Sequence, residues 1–168
     1  MDWLRQLLEA IGKAIADWIV RCIPQYNPGA WNDANGIEFN NNCYNYGCDI
    51  QTGTYAQPGR GSGQKWTQLT CDNVTSAAIR DGLVPVDCDQ GCGCSECCHQ
   101  VALVMAPYDY HWYRKDRDGR WSHKMGGSPA TNLDSSNNII TDPRTANRGG
   151  YTTFCGCFCV CKAKVTIN

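Results

Sequence analysis

His111-Trp112-Tyr113-Arg114-Lys115-Asp116-Arg117-Asp118-Gly119-Arg120-Trp121-Ser122-His123 is the stretch from which the rest of the chain is read. Asp118-Gly119 signals a two-residue hairpin turn of type I′, because both central positions of that turn need positive φ. The flanks carry aromatic residues that favour strands. One β-hairpin would therefore bring two imidazoles together. Histidine exchanges protons near neutral pH, and the chain holds three, the third being His99.

Outward from the hairpin, Gln100–Met105 reads as a continuous apolar strand, and Thr152–Ile167 alternates as a last strand. Leu83–Val86 is a short strand that Pro85 confines to an edge. Upstream lie three helices: residues 2–23, a short one headed by Cys43, and 67–81, closed by Asp81-Gly82. Helices followed by mostly antiparallel strands predict an α+β domain. With 168 residues, one domain with a real core is expected and no second. The division is an amphipathic N-terminal helix over 1–23 and a single α+β domain over 24–168. The latter carries a Cys-rich loop at 88–98 and a Cys-rich C-terminal strand at 155–161.

In residues 2–23, Trp3, Leu4, Leu7, Leu8, Ile11, Ala14, Ile15, Trp18, Ile19 and Cys22 fall on one broad helical face. Asp2, Arg5, Gln6, Glu9, Lys13, Asp17 and Arg21 fill the other, and Pro24 ends the helix. The expectation is a helix docked on its own domain or on a copy of itself. Membrane-surface contact is the minority reading, because the polar face is charge-balanced rather than basic.

A net charge of −1 gives no footprint for nucleic acid. No run is long and apolar enough to span a bilayer. Asp2, Glu9, Lys13 and Asp17 do not fit a Sec signal peptide, so either a cytoplasmic location or export by a non-Sec route is expected. Gln57-Pro58-Gly59-Arg60-Gly61-Ser62-Gly63-Gln64 lacks the preceding strand and the Gly-Lys-Ser/Thr of a phosphate loop. It reads as a mobile loop bordering a site.

Asn40-Asn41-Asn42 offers N-caps to the helix that Cys43 opens. The partial positive charge of a helix start would stabilise a thiolate there. A thiol nucleophile needs an imidazole to take its proton and a third polar group to orient that imidazole. Cys43, His111 and His123 could fill these roles in that order.

This order resembles papain-like hydrolases of the NlpC/P60 type. In them a cysteine heads a helix, the base histidine opens a strand, and a second histidine follows after one hairpin. The resemblance covers residues 40–125, although Asn42-Cys43-Tyr44-Asn45-Tyr46 departs from the usual Asp-Cys-Ser-Gly. The segment is also similar to small uncharacterised bacterial proteins with the order Asn-Cys-Tyr-Asn-Tyr, His-Trp-Tyr-Arg, Trp-Ser-His-Lys. What the resemblance implies is a Cys43 nucleophile, a His111 base and a His123 orienter. A likeness to bacteriocin-processing peptidases would instead have Asp142, in Asp142-Pro143, orient His111. A further assignment makes His123 the base.

Thirteen cysteines are present. Most cluster as Cys88, Cys92, Cys94, Cys97 and Cys98, and as Cys155, Cys157, Cys159 and Cys161. Alternation along a strand would project all four of the second cluster from one face, so the two clusters should meet. Disulfides or a structural metal would satisfy them. These thiols outnumber what one four-coordinate site uses, which favours disulfides.

The leading expectation is a thiol-dependent hydrolase or acyltransferase acting on a peptide or amide substrate, with no cofactor needed for catalysis. The alternatives are a non-enzymatic, self-assembling structural protein stapled by its cysteines, and a thiolate metal-binding protein.

Overall fold

The computed structural model describes residues 2–33, 35–93 and 97–168, with the backbone alone at 18–22. The helices are α1 (Asp2–Cys22), α2 (Ile37–Asn40), α3 (Cys43–Cys48) and α4 (Cys71–Arg80). The strands are β1 (Val84–Val86), β2 (Cys98–Ala106), β3 (Asp109–Lys115), β4 (Trp121–Lys124), β5 (Ala130–Thr131) and β6 (Thr153–Cys161). All pairings are antiparallel, in the order β1-β6-β2-β3-β4-β5. The class is α+β, and Pro85 does lie on an edge strand.

β2 is the spine. Val101 and Leu103 face a core shared with α3 and α4, while Ala102 and Val104 face a second core under Tyr151 and Ile140. Burial on both faces explains why its sequence is an unbroken apolar run. Helix α4 begins later than residue 67 because the Asn73 side chain accepts the backbone N–H groups of Thr67 and Gln68. Thr70 then caps it through Asn73 N.

The hairpin turn differs from the two-residue form expected. Asp116 N donates to Arg120 O, Gly119 N donates to Asp116 O, and Gly119 alone has positive φ, at 83°. This is a three-residue loop closed by a glycine bulge, so Asp116 sits at the strand end, bonded to Arg120 and within reach of Arg114.

The cysteine strand also departs from simple alternation. The register of β2 with β6 shifts between Leu103 and Val104, opposite Gly156 and Phe154, so Cys155 is the extra residue of a bulge. Gly156 supplies the φ of 142° that the bend requires. Cys155 is thereby turned to the α4 side, where it bonds Cys71, while Cys157 stays on the opposite face and bonds Cys88. Cys92–Cys159 and Cys98–Cys161 complete the described bridges.

Helix α1 forms where expected, but its described side chains do not dock on its own domain. Residues 2–17 are exposed throughout, with Trp3 at 69% and Leu8 at 61%. The side chains of Trp18, Ile19, Arg21 and Cys22 lie outside the described residues. No helix among the described residues is long and apolar enough to cross a membrane.

The glycine loop is held rather than free. Gly59 N and Ser62 N donate to the two oxygens of Asp81, whose Oδ2 also accepts from Tyr44 OH. The chain's own carboxylate thus fills the anion-holding turn.

Candidate functional site

The asparagine run positions Cys43. Asn42 Oδ1 accepts from Tyr44 N and Asn45 N, and Asn45 Oδ1 accepts from Asn42 N, a reciprocal capping box. Asn41 Oδ1 accepts from Thr52 N and Gly53 N. From the hairpin, Lys124 Nζ donates to the carbonyls of Glu38, Asn41 and Gly126. The segment entering α3 is therefore tied to β4 by an ammonium closed on backbone oxygens.

His111 and His123 meet as the hairpin requires. Their Nε2 and Nδ1 atoms are 2.8 Å apart, and His123 Nε2 lies 3.0 Å from Leu133 O. A carbonyl can only accept, so His123 carries its proton on Nε2. Its Nδ1 then accepts from His111 Nε2–H, and His111 Nδ1 is left as a lone pair. Desolvation lowers the pKa of both rings, and at His111 the neighbouring His123 adds to it. Both are neutral near pH 7.

Cys43 reaches the same cleft from the other side of the sheet. It packs with Tyr110 and Trp112, whereas His111 meets Tyr113 edge-on and Tyr151 at a tilt on the opposite face. They share a cavity because β4 pairs only with Tyr113–Lys115, leaving the first residues of β3 with a free edge. That cavity, about 480 Å³, is also lined by Gln57, Trp66, Asp109 and Tyr151. No hydrogen bond joins Cys43 to His111 among the described residues. Burial pushes the Cys43 thiol up to about 12, outweighing the opposing pull of the Trp112 backbone N–H. The low-pKa thiolate expected at this helix start is thus not what the site holds. One six-residue helix does not offset the loss of water around the sulfur.

Asp142 lies elsewhere. Its carboxylate is gripped by Arg144, which also pairs with Asp89, so His123 rather than Asp142 contacts His111. His99 is buried, with Nε2 on Gly47 O at 2.7 Å.

The candidate metal ligands are consumed by sulfur. Cys88, Cys92, Cys98, Cys155, Cys157, Cys159 and Cys161 are bridged as given above, and Cys97 is also disulfide-bonded. Cys94 lies outside the described residues. Among the described residues no group of three or more His, Cys, Asp or Glu could hold a metal ion. Among the described residues, the free cysteines are Cys43 and Cys48.

Sequence reasoning missed the cleft's other walls. Tyr151 OH donates to Asp109 Oδ2 at 2.7 Å, and Trp66 Nε1 and Tyr110 OH both donate to Gln57 Oε1. Tyr110 could have been inferred from its place beside His111. The loop opened by Gln57 was expected to border a site, and it does; Trp66 and Tyr151 had no motif to mark them.

No family model matches the chain, and no solved structure matches it. It is 46% identical over 137 residues to "Insoluble matrix shell protein 1" of Ruditapes philippinarum, an alignment that covers 80% of this chain and 88% of that one. This relationship overturns the NlpC/P60 and bacterial resemblances, the thiol hydrolase or acyltransferase reading and its peptide or amide substrate. The spacing misled because three residues in order, in a chain with thirteen cysteines, are a pattern that chance can supply. Identity of 46% over 137 positions cannot arise that way. The chain belongs to the family of insoluble matrix shell protein 1.

Proposed function

We propose that the chain is a non-enzymatic structural protein of an extracellular matrix, stapled by disulfides and self-associating through α1. The observation that carries this reading is the uncovered apolar face of α1. Most of a helix's stability in a protein comes from packing its amphipathic face, so α1 calls for a partner surface. Leu4, Leu8, Ile11 and Ile15 follow the alternating four- and three-residue steps of a coiled-coil seam. Asp2, Arg5, Glu9, Lys13 and Asp17 alternate in sign along the polar side, which suits a second copy better than an anionic lipid surface. The bridges of the described sheet favour an oxidising, extracellular setting, in keeping with the matrix named for the relative.

Sedimentation velocity of the full chain, compared with Leu8→Glu/Ile11→Glu, tests it. The expected result is concentration-dependent assembly that the variant loses, with near-ultraviolet circular dichroism unchanged. A monomer at every concentration overturns the reading. So does an equally assembled variant, or a chain that cosediments with anionic vesicles in place of self-association.

A further inference from the structure

The cleft at the free edge of β3 is accounted for neither by the self-association of α1 nor by the disulfides. Its one charged lining residue is Asp109, at the rim. The Asp109 carboxylate accepts from Tyr151 OH and Tyr110 N, and forms no salt bridge among the described residues. Each carboxylate oxygen keeps a lone-pair direction free. Deeper in, His111 is only 2% exposed, yet its Nδ1 has no hydrogen-bond partner among the described residues. Nor does that nitrogen count among the buried polar atoms sealed from solvent, so it is open to the cleft that His111 lines. The chain Leu133 O, His123, His111 fixes it as an acceptor.

The walls are Tyr55, Trp66, Tyr110 and Tyr151, with Met125. Aromatic faces attract cations, more strongly when water is excluded. Of the nearby cations, Lys65 Nζ lies over one face of Trp66, 4.9 Å from the ring centroid, and two others are held by carbonyls. Lys124 Nζ is closed on three backbone carbonyls, and Arg60 is spent on the carbonyls of Tyr55 and Asn168. The cleft therefore offers two hydrogen-bond acceptors, one negative charge and aromatic walls, and no lysine or arginine is among its lining residues.

We infer that this cleft is a recognition site for a primary alkylammonium group, the side chain of a lysine on another polypeptide. The methylene stem lies against the aromatic walls, and the ammonium donates to Asp109 and to His111 Nδ1. The site is non-covalent, and Cys43 contributes a protonated thiol to its wall. An anionic side chain would meet Asp109 and the lone pair of His111, and is rejected.

The test titrates the full chain with N-acetyl-lysine methylamide, its uncharged isostere N-acetyl-norleucine methylamide and N-acetyl-glutamate methylamide, following aromatic resonances by NMR. Saturable binding of the lysine derivative is expected at millimolar concentrations. The norleucine derivative should bind about tenfold more weakly or worse, the difference that ~1.4 kcal/mol represents. Asp109→Asn should bring the lysine derivative to the norleucine level. Equal binding of lysine and norleucine derivatives overturns the inference, as does preference for glutamate or no saturable binding of any. The three-ligand comparison on the unaltered chain decides the matter even if Asp109→Asn fails to fold.

Discussion

His111 Nε2 lies 2.8 Å from His123 Nδ1, and the proton between them is fixed by a third group, the Leu133 carbonyl on the far side of His123. Burial disfavours a charge on either ring. A proton added to His123 would sit on Nδ1 and face the His111 Nε2–H unless that hydrogen moved to His111 Nδ1.

Acid should therefore unfold this protein through its histidines. Burial lowers the pKa of His111 well below its usual 6.5, lowers that of His123, and brings His99 to about 4. In each case the unfolded chain binds the proton first, so stability is full above about pH 6.5 and is lost as pH falls below it. For His99 the loss continues to about pH 4 and corresponds to about 3 kcal/mol. Thermal unfolding followed between these values should show a steep fall in midpoint, shallower in His99→Gln. A flat profile above pH 5 would refute neutral burial of the rings.

The thiols give a second prediction. With its pKa raised to about 12, Cys43 should react with iodoacetamide at a rate that climbs with pH and reaches no plateau by pH 10. Cys48 is more deeply buried and should lag behind it. Peptide mapping of partially alkylated protein reads both. A plateau near neutral pH at Cys43 would restore a stabilised thiolate.

How much of this was legible in the sequence depends on the range of the interaction. The Asn42 cap, the edge position of Pro85 and the meeting of the two cysteine clusters follow from local pattern, and each was expected. The thiol pKa was not legible, because it is set by Tyr110 and Trp112 closing over the sulfur, contacts nearly seventy residues away in the chain. Which surface covers α1 was left open for a related reason. An amphipathic face demands a partner, but nothing in its spacing says whether that partner is its own domain. Asp142 sits in the right order after His111, yet Arg144, two residues on, holds its carboxylate at a different surface.

Arg114 should prove the most sensitive charged residue. Its buried guanidinium bonds Asp116 Oδ1 at 2.9 Å, Asp49 Oδ1 at 3.1 Å and Tyr46 OH at 3.0 Å, and stacks over the Tyr46 ring. Arg114→Met leaves Asp116 buried without its counter-charge, which costs about 3–5 kcal/mol. Arg114→Lys should recover little, since an ammonium cannot reproduce the planar fork. Urea unfolding of the three proteins measures this, and a loss of under about 1 kcal/mol in Arg114→Met would rule out a decisive pairing.

The bulge at Gly156 links backbone conformation to a disulfide. A Cβ there would meet nothing nearer than Phe158 at 3.9 Å, so space is not the obstacle; the φ of 142° is. Gly156→Ala should destabilise the chain by about 1–3 kcal/mol, the cost of holding an L-residue in a region it avoids. Part of that strain is imposed by the Cys71–Cys155 bridge, which needs Cys155 turned toward α4. In a Cys71→Ser/Cys155→Ser background the strand can relax toward simple alternation, and the same substitution should cost less. The double-mutant cycle therefore has a predicted sign. Equal costs in the two backgrounds would mean that packing around Phe154 and Phe158, rather than the disulfide, holds the bulge in place.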